Sequence, residues 1–199
     1  GSAVFGSTFG MNLYRNANVI ILKQFVSDDL VGLYSAAEKV IKGFQSIISP
    51  AAQALFPHLS YRFKGQPVKK NMHLLRRIAL PFTAVVVLVT IGVYCFAPFI
   101  SDILCGSEFV AAVPLIRIMT LVILFGEINY LIGIVGLVNM DGQSLFFRSV
   151  LVTGCFSIVF MLLCVPHWGV TAAAWAMSLS EMLLFTLCLW SLYQINKRA

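Results

Sequence analysis

The feature that most constrains the fold is a series of long apolar runs separated by short polar turns. One of these runs, from Ile78 to Ala97, contains no Asp, Glu, Lys or Arg, and a membrane-spanning helix needs about 20 apolar residues. Over the whole chain only 11% of the residues are charged, whereas soluble domains carry about 25%. The runs also lack the strict alternation of outer-membrane β-strands. The sequence therefore predicts an all-α polytopic membrane protein.

Polar and proline-containing turns divide the 199 residues into six predicted transmembrane helices. These spans cover approximately residues 4–26, 30–61, 78–97, 113–138, 145–165 and 170–193. A polar loop and a short basic surface helix are predicted between the second and third spans, and a short interfacial helix before the fourth. Because the chain starts with Gly1 and Ser2 rather than Met, we expect it to be part of a longer protein.

Lys and Arg residues are concentrated in alternate connections between the predicted spans. Six lie between the second and third spans, Arg148 lies close to the fourth-to-fifth turn, and Lys197 and Arg198 follow the last span. The other connections hold acids but no Lys or Arg; these acids are Asp28, Asp29, Asp102 and Glu108. Since cytoplasmic loops are enriched in Lys and Arg, this asymmetry predicts that both ends of this segment are cytoplasmic.

Charged residues also occur inside the first two predicted spans, where each costs about 2.5 to 3.5 kcal/mol at mid-bilayer. At about 100° per residue, the polar residues of each span fall on one side of the helix. On the first span this stripe comprises Asn12, Arg15, Asn16, Val19 and Lys23. On the second it comprises Ser35, Glu38, Lys39, Lys42, Gln45, Ser46, Ser49 and Gln53. Two neighbouring helices are therefore each predicted to carry a polar stripe.

Two interpretations of these stripes are open. In the first, the charges form a purely structural network, because Glu38 and Lys42 are four residues apart and can form a local ion pair. In the second, the remaining cations, Arg15, Lys23 and Lys39, line a water-filled path for an anion. Phosphate is the anionic group that Lys and Arg bind best, and charge inside a membrane is by default a functional feature. We favour the second interpretation.

Weaker candidates lie in the later spans. Arg117 and Arg148 either extend to the membrane surface or line the same cavity. Glu127 and Glu181 are acids in apolar surroundings, and each either pairs with an arginine or, like Glu38, couples transport to an ion gradient. A proton or sodium gradient is the only cofactor-like requirement that we predict.

Catalytic and metal-binding patterns are absent from the sequence. The five cysteines are scattered without CxxC spacing, which predicts free thiols. The adjacent pair Asp28–Asp29 is better explained as a helix cap than as a metal ligand. The basic residues, despite a net charge of +6, do not form the aromatic-interleaved surface of a nucleic-acid-binding protein. We therefore expect no enzymatic activity, no metal and no nucleic-acid partner.

Two strings in the second span resemble the bacterial polysaccharide transporter family, which includes the flippases of O-antigen and other lipid-linked oligosaccharides. These strings run from Val31 to Lys39 and from Pro50 to Pro57, and segments 106–109 and 115–118 are also similar to the family. The resemblance covers essentially the whole chain and matches the C-terminal half of a family member. The same superfamily contains multidrug extrusion transporters and lipid II flippases.

The resemblance implies a transporter of twelve spans in two six-helix lobes, set in the bacterial inner membrane. Its substrate would be an undecaprenyl-diphosphate-linked oligosaccharide, moved from the cytoplasmic to the periplasmic leaflet by alternating access. Carried over by position, the cations facing the diphosphate or acidic sugars are Arg15, Lys23, Lys39 and Lys42. The neutral hydrogen-bonding residues are Asn12, Asn16, Gln45 and Gln53.

The expected partners are therefore the lipid bilayer, the lipid-linked substrate and the N-terminal lobe of the same protein. Because that lobe is missing from this sequence, this segment alone should not transport. Two alternatives stay open. A multidrug antiporter would require cavity acids and aromatics for organic cations, and a non-transporting assembly subunit would use the charges only to dock a partner.

Overall fold

The computed structural model describes residues 18–198, without the side chains of residues 105, 107, 108 and 198. Every regular element in this part of the chain is helical, which agrees with the predicted all-α membrane class. Residues 18–22 are helical and form the described part of α1. The other α-helices are α2 (Asp28–Phe63), α3 (Val68–Cys95), α4 (Ala97–Cys105), α5 (Val113–Asn129) and α6 (Gln143–Arg198). Asn12, Arg15 and Asn16 lie outside the described residues.

Short helical segments of other types connect these elements. A 3₁₀-helix, Ser107–Ala112, leads into α5. After α5 the chain continues through a π-helix, Tyr130–Leu137, and a 3₁₀ turn, Val138–Met140. Three stretches of the described chain are long and apolar enough to cross a membrane: Val68–Cys95, Phe109–Met140 and Gln143–Lys197. These stretches support a multi-pass membrane protein.

The last helix consists of two antiparallel halves. Gly169 has φ 54° and ψ −136°, far from helical values, and a positive φ is readily adopted only by glycine. A Cβ atom placed on Gly142, just before α6, would lie 2.9 Å from Ile195 near its end, so the chain reverses at Gly169. The predicted turn over residues 166–169 is therefore narrower in the structure, because Pro166 stays within the helix.

α5 lies at the centre of the bundle, where it contacts α2, α3 and α6. The hydrophobic core has two parts, one at each end. The first includes Leu22, Ala97 and Val165, and the second includes Leu59 and Leu192. The elements therefore run alternately between the same two ends of the bundle.

We call the end formed by residues 59–77, 137–148 and 192–197 the basic end. It carries eight cations of the described chain: Arg62, Lys64, Lys69, Lys70, Arg76, Arg77, Arg148 and Lys197. Asp28, Asp29 and Asp102 lie at the opposite end. This separation fits the predicted asymmetry of charge, and its assignment to the cytoplasmic side stays a prediction.

Two local features differ from the sequence-based expectation. The helix of α1 ends at Leu22 rather than near Val26, because residues 23–25 form a turn. Lys23 therefore lies in that turn, at the end of the bundle opposite the basic end. The sequence predicted no Lys or Arg in the connections at that end. At the basic end, Lys69 to Arg77 belong to α3 itself. The prediction of a separate basic surface helix is therefore wrong, and the loop is confined to residues 64–67.

Small residues allow the π-helix to approach its neighbours closely. A Cβ atom on Gly133 would lie 2.5 Å from the Phe146 ring, and one on Gly136 would lie 2.7 Å from the Leu75 side chain. Both distances are shorter than side chains tolerate in a packed interior. Glycine at these two positions therefore lets the π-helix pack closely against α6 and α3.

Candidate functional site

The polar stripe predicted on the second span lies on α2, a helix of 36 residues. One side of α2 is buried by residues such as Tyr34, Ile41, Ala52 and Leu59. The helix is not among the stretches apolar enough to cross a membrane by composition, since Glu38, Lys39 and Lys42 lie within its first half. α2 is therefore half-buried among apolar helices and polar along part of its surface.

The structure divides this stripe into two edges. Along the outer edge Lys39, Lys42, Ser46 and Gln53 are exposed. We call these four residues the polar face of α2. At 1.5 Å per residue, Lys39 and Gln53 are about 21 Å apart along the helix, which is much of the roughly 30 Å hydrocarbon thickness. The polar face thus offers hydrogen-bonding groups over most of a membrane's depth.

The inner edge of the stripe faces α5 instead. The Gln45 side chain donates a hydrogen bond from Nε2 to the Val122 carbonyl oxygen at 3.1 Å. Ser49 Oγ donates to Glu127 Oε1 at 2.7 Å. Gln45 was predicted to contact substrate. One hydrogen-bond donor of its amide group instead holds α2 against α5. This division depends on where α5 packs, which the helical wheel of α2 alone cannot reveal.

Glu38 and Lys42 form the predicted local ion pair. Lys42 Nζ lies 2.9 Å from Glu38 Oε1, and the lysine side chain is 47% exposed whereas the glutamate side chain is 9% exposed. The buried acid is thus neutralised by its own helix, while Lys42 still reaches the surface. Lys39 is the cation of the polar face to which the described structure assigns no acidic partner.

Lys39 also borders a groove of about 400 Å³ near the opposite end of the bundle. Gly32 and Ser35 line it from α2, and Leu104 and Phe109 line it from the segment before α5. The groove combines one cation, one hydroxyl and an apolar wall. Such a lining suits an amphipathic ligand with an anionic group.

The remaining predicted cations lie elsewhere. Lys23 is exposed in the turn after α1. The Arg117 guanidinium carbon lies 5.4 Å from the centroid of the Tyr94 ring on α3, a cation–π distance. Arg148 borders a pocket at the basic end together with Asp141 and Gln194. The described contacts therefore do not bring Lys23, Arg117 or Arg148 onto the polar face of α2.

Two buried acids form a polar layer between the helices. Glu127 of α5 accepts the hydrogen bond from Ser49 of α2. Asn129 Nδ2 donates to Glu181 Oε2 and to the Glu181 carbonyl oxygen, both at 2.9 Å. Both acids are almost completely buried. The layer therefore links α2 to α5 and α5 to the second half of α6.

Sequence reasoning did not single out Asn129 or the contact between α1 and α6. Ser157 Oγ donates to Asn18 Oδ1 at 3.4 Å, and both residues are fully buried. The only available signal was a polar side chain inside an apolar run. For Asn129 that signal was strengthened by Glu127 two residues earlier.

Two comparisons with known proteins find a similarity, one in the first third of the chain and one over most of its length. A sequence model of the family described as "Polysaccharide biosynthesis protein" matches residues 1–63. A Shigella dysenteriae protein that bears the name of an O-antigen transporter is 23% identical over 192 residues, or 96% of this chain. Both matches agree with the resemblance of this chain to the O-antigen and polysaccharide transporter family. No solved structure matches the chain.

The family match ends at Phe63, the last residue of α2. The matched region therefore contains both predicted polar stripes. The chain spans 46% of the length of its Shigella relative, or about half.

Proposed function

We propose that this chain is part of a longer protein, which we call the full-length parent. This parent flips a polyprenyl-diphosphate-linked oligosaccharide across the bacterial inner membrane. This chain would supply one lobe, and the other lobe would complete the cavity. The observation that carries the proposal is the polar face of α2, where exposed Lys39 and Lys42 lie on a helix packed among apolar helices. Charge in such a position is expensive unless it faces water or a ligand.

The chemistry of the polar face matches the two parts of such a substrate. A diphosphate needs cations, and hydrogen bonds to charged groups contribute about 1.5 to 3 kcal/mol each. Sugar hydroxyls need neutral donors and acceptors, which Ser46 and Gln53 supply further along the same face. The lipid tail would remain in the bilayer while the head group crosses along α2.

A multidrug antiporter is the competing function. Organic cations would need exposed acids on the polar face. The acid next to this face, Glu38, is nearly buried and paired with Lys42, so the exposed charge of the face is positive. The sign of that charge favours an anionic substrate.

Flipping is measured in a host that lacks its own copy, with the full-length parent supplied as wild type, Lys39→Ala or Lys39→Arg. We expect Lys39→Ala to reduce surface polysaccharide about tenfold or more, since one charged hydrogen bond is lost. Lipid-linked oligosaccharide should accumulate in the cytoplasmic leaflet, and Lys39→Arg should restore export because it keeps the cation.

Lys197→Ala is the matched control, because it removes an exposed lysine at the basic end, away from the polar face. Protein amounts in the membrane must be equal for all variants. Export that persists in Lys39→Ala at the wild-type level contradicts the proposal. Loss of resistance to cationic drugs without any change in polysaccharide would establish the antiporter function instead.

We also propose that Glu127 couples flipping to a proton gradient. Glu127 is the buried acid in direct contact with α2, through Ser49, so a change in its protonation acts on the helix that carries the polar face. Glu181 contacts Asn129 within the α5–α6 interface, and Glu38 is held by Lys42.

Glu127→Gln tests this coupling, with Glu181→Gln as the matched buried-acid control. Transport into inside-out vesicles is measured with and without an imposed pH gradient. The gradient should accelerate the wild type and Glu181→Gln but not Glu127→Gln. Acceleration of Glu127→Gln to the wild-type degree would show that the proton is carried elsewhere.

A further inference from the structure

A second polar cavity lies at the basic end, between the end of α2 and the start of α3. Its volume is about 650 Å³. Its charged lining residues are all cations: Arg62, Lys64, Lys70 and Arg77. The rest of the polar wall consists of Tyr61, Gln66, Asn71 and His73, and Leu74 adds an apolar surface. We call this cavity the basic pocket.

The basic pocket is separate from the polar face of α2. Arg62 follows Gln53 by nine residues, which is two and a half helical turns. The two side chains therefore leave α2 on opposite sides. The pocket is framed mainly by α3, which supplies Lys70, His73, Leu74 and Arg77.

The turn that shapes the pocket is held in place by a buried side chain. Asn71 Nδ2 donates to the Phe63 carbonyl oxygen at 3.2 Å, which satisfies a carbonyl at the end of α2. Backbone hydrogen bonds from Gln66 to Phe63 and from Lys70 to Pro67 close the same turn. Arg62, Lys64 and Lys70 are thus attached to a fixed backbone rather than to a long loose loop.

An apolar strip of α3 continues directly from the pocket toward the middle of the helix. Lys70, His73 and Arg77 share one helical side with Leu80, Ala84, Leu88 and Ile91, by the three-and-four-residue spacing of a helix. Leu80 is 73% exposed, Leu88 69% and Ile91 54%. From Leu80 to Ile91 the strip is about 16 Å long at 1.5 Å per residue, about half of a roughly 30 Å hydrocarbon core.

We propose that the basic pocket binds the phosphate head group of one acidic phospholipid, whose acyl chains lie along this strip of α3. Lys and Arg are the natural partners of a phosphate, and basic pockets at the ends of transmembrane helices bind acidic lipid head groups. A lipid placed there has its phosphate among four cations and its chains along one leaflet's depth of apolar surface. The bound lipid would fix the α2–α3 turn at the membrane surface.

The test is a native mass spectrometry titration of the purified full-length parent with phosphatidylglycerol and with phosphatidylcholine of the same acyl chains. The first double variant, which we call the pocket pair, combines Lys70→Ala with Arg77→Ala and removes two cations from the pocket. The second double variant, which we call the control pair, combines Lys69→Ala with Arg76→Ala. It removes two exposed cations of the same helix that do not line the pocket. All of these side chains are exposed, so both pairs should fold, and equal size-exclusion profiles check that they do.

We expect one phosphatidylglycerol molecule to bind more tightly than phosphatidylcholine. The pocket pair should weaken this binding about 30-fold, since each Lys or Arg near an acidic lipid surface contributes about a fivefold factor. The control pair should bind as the wild type does. Equal weakening by both pairs would mean diffuse charge attraction and would overturn the proposal.

A second titration with a polyprenyl diphosphate separates the two sources of a lipid phosphate. The pocket pair should leave its binding unchanged, because the polar face of α2 is intact. If the pocket pair weakens polyprenyl diphosphate binding but not phosphatidylglycerol binding, the pocket belongs to the transported lipid and the assignment to a phospholipid is wrong.

Discussion

α2 and α3 lie in the same bundle and each buries one side, but their exposed sides have opposite chemistry. The exposed side of α2 carries Lys39, Lys42, Ser46 and Gln53, with the apolar Ile47 beside them. Between its basic first turns and its end at Cys95, the exposed side of α3 carries mainly Leu, Ile, Val and Ala. An apolar exposed side is stable against lipid chains, whereas a polar one requires water or a partner.

The comparison separates a surface of the bundle that suits lipid from one that water or another polypeptide segment must cover. If the comparison is right, equivalent substitutions on the two exposed sides have unequal effects.

The largest expected effect comes from placing an arginine on each exposed side. Leu88→Arg lies in the middle of the apolar run of α3 and should cost about 2.5 to 3.5 kcal/mol, because the cation would face hydrocarbon. Ser46→Arg on α2 should cost less than about 0.5 kcal/mol, as expected of an exposed polar position. The measurement is the amount of full-length parent inserted in the membrane and its thermal unfolding midpoint. Similar losses for both variants would break the comparison.

A smaller effect is expected from adding a methyl group to a glycine on a buried or an exposed side. Gly133→Ala should destabilise by about 1 to 3 kcal/mol, since the new Cβ overlaps the buried Phe146 ring. Gly43→Ala, on the exposed side of α2, meets no atom within 4 Å and should stabilise by up to about 1 kcal/mol, because alanine favours helix. Thermal unfolding of the two variants should shift in opposite directions, and a stabilised Gly133→Ala would contradict the packing of the π-helix.

The smallest effect distinguishes the two edges of the stripe on α2. Gln45→Ala removes the hydrogen bond to the Val122 carbonyl oxygen and should cost about 0.5 to 1.5 kcal/mol. Gln53→Ala removes an exposed side chain and should change stability by less than about 0.5 kcal/mol. Transport should respond in the reverse order if Gln53 contacts substrate. Equal stability losses would place both glutamines in the same environment.

Local patterns in the sequence predicted the features that depend on nearby residues. Apolar length and low charge predicted a helical membrane protein, and the four-residue spacing of Glu38 and Lys42 predicted their ion pair. Each of these follows from helix geometry alone.

Features that depend on distant contacts were not predictable in the same way. Gln45 and Val122 are 77 residues apart, so the wheel of α2 could not tell which polar residues face α5. The position of Arg117 of α5 above the Tyr94 ring of α3 is likewise a contact between two helices, which the sequence of neither helix indicates. The π-helix after Asn129 has no sequence signal, and Pro166 suggested a break that the chain makes only at Gly169.

The most direct test of the central claim measures whether the exposed side of α2 contacts water while that of α3 contacts lipid. Single cysteines at Ser46, Gln53, Ala84 and Leu88 are introduced into the full-length parent after its native cysteines are removed. Each variant in intact membranes is then treated with a charged, membrane-impermeant maleimide from either side. We predict rapid labelling at Ser46 and Gln53 and very slow labelling at Ala84 and Leu88. Protection of Ser46 and Gln53 from both sides, or equal labelling of Leu88, would contradict a hydrated polar face on α2.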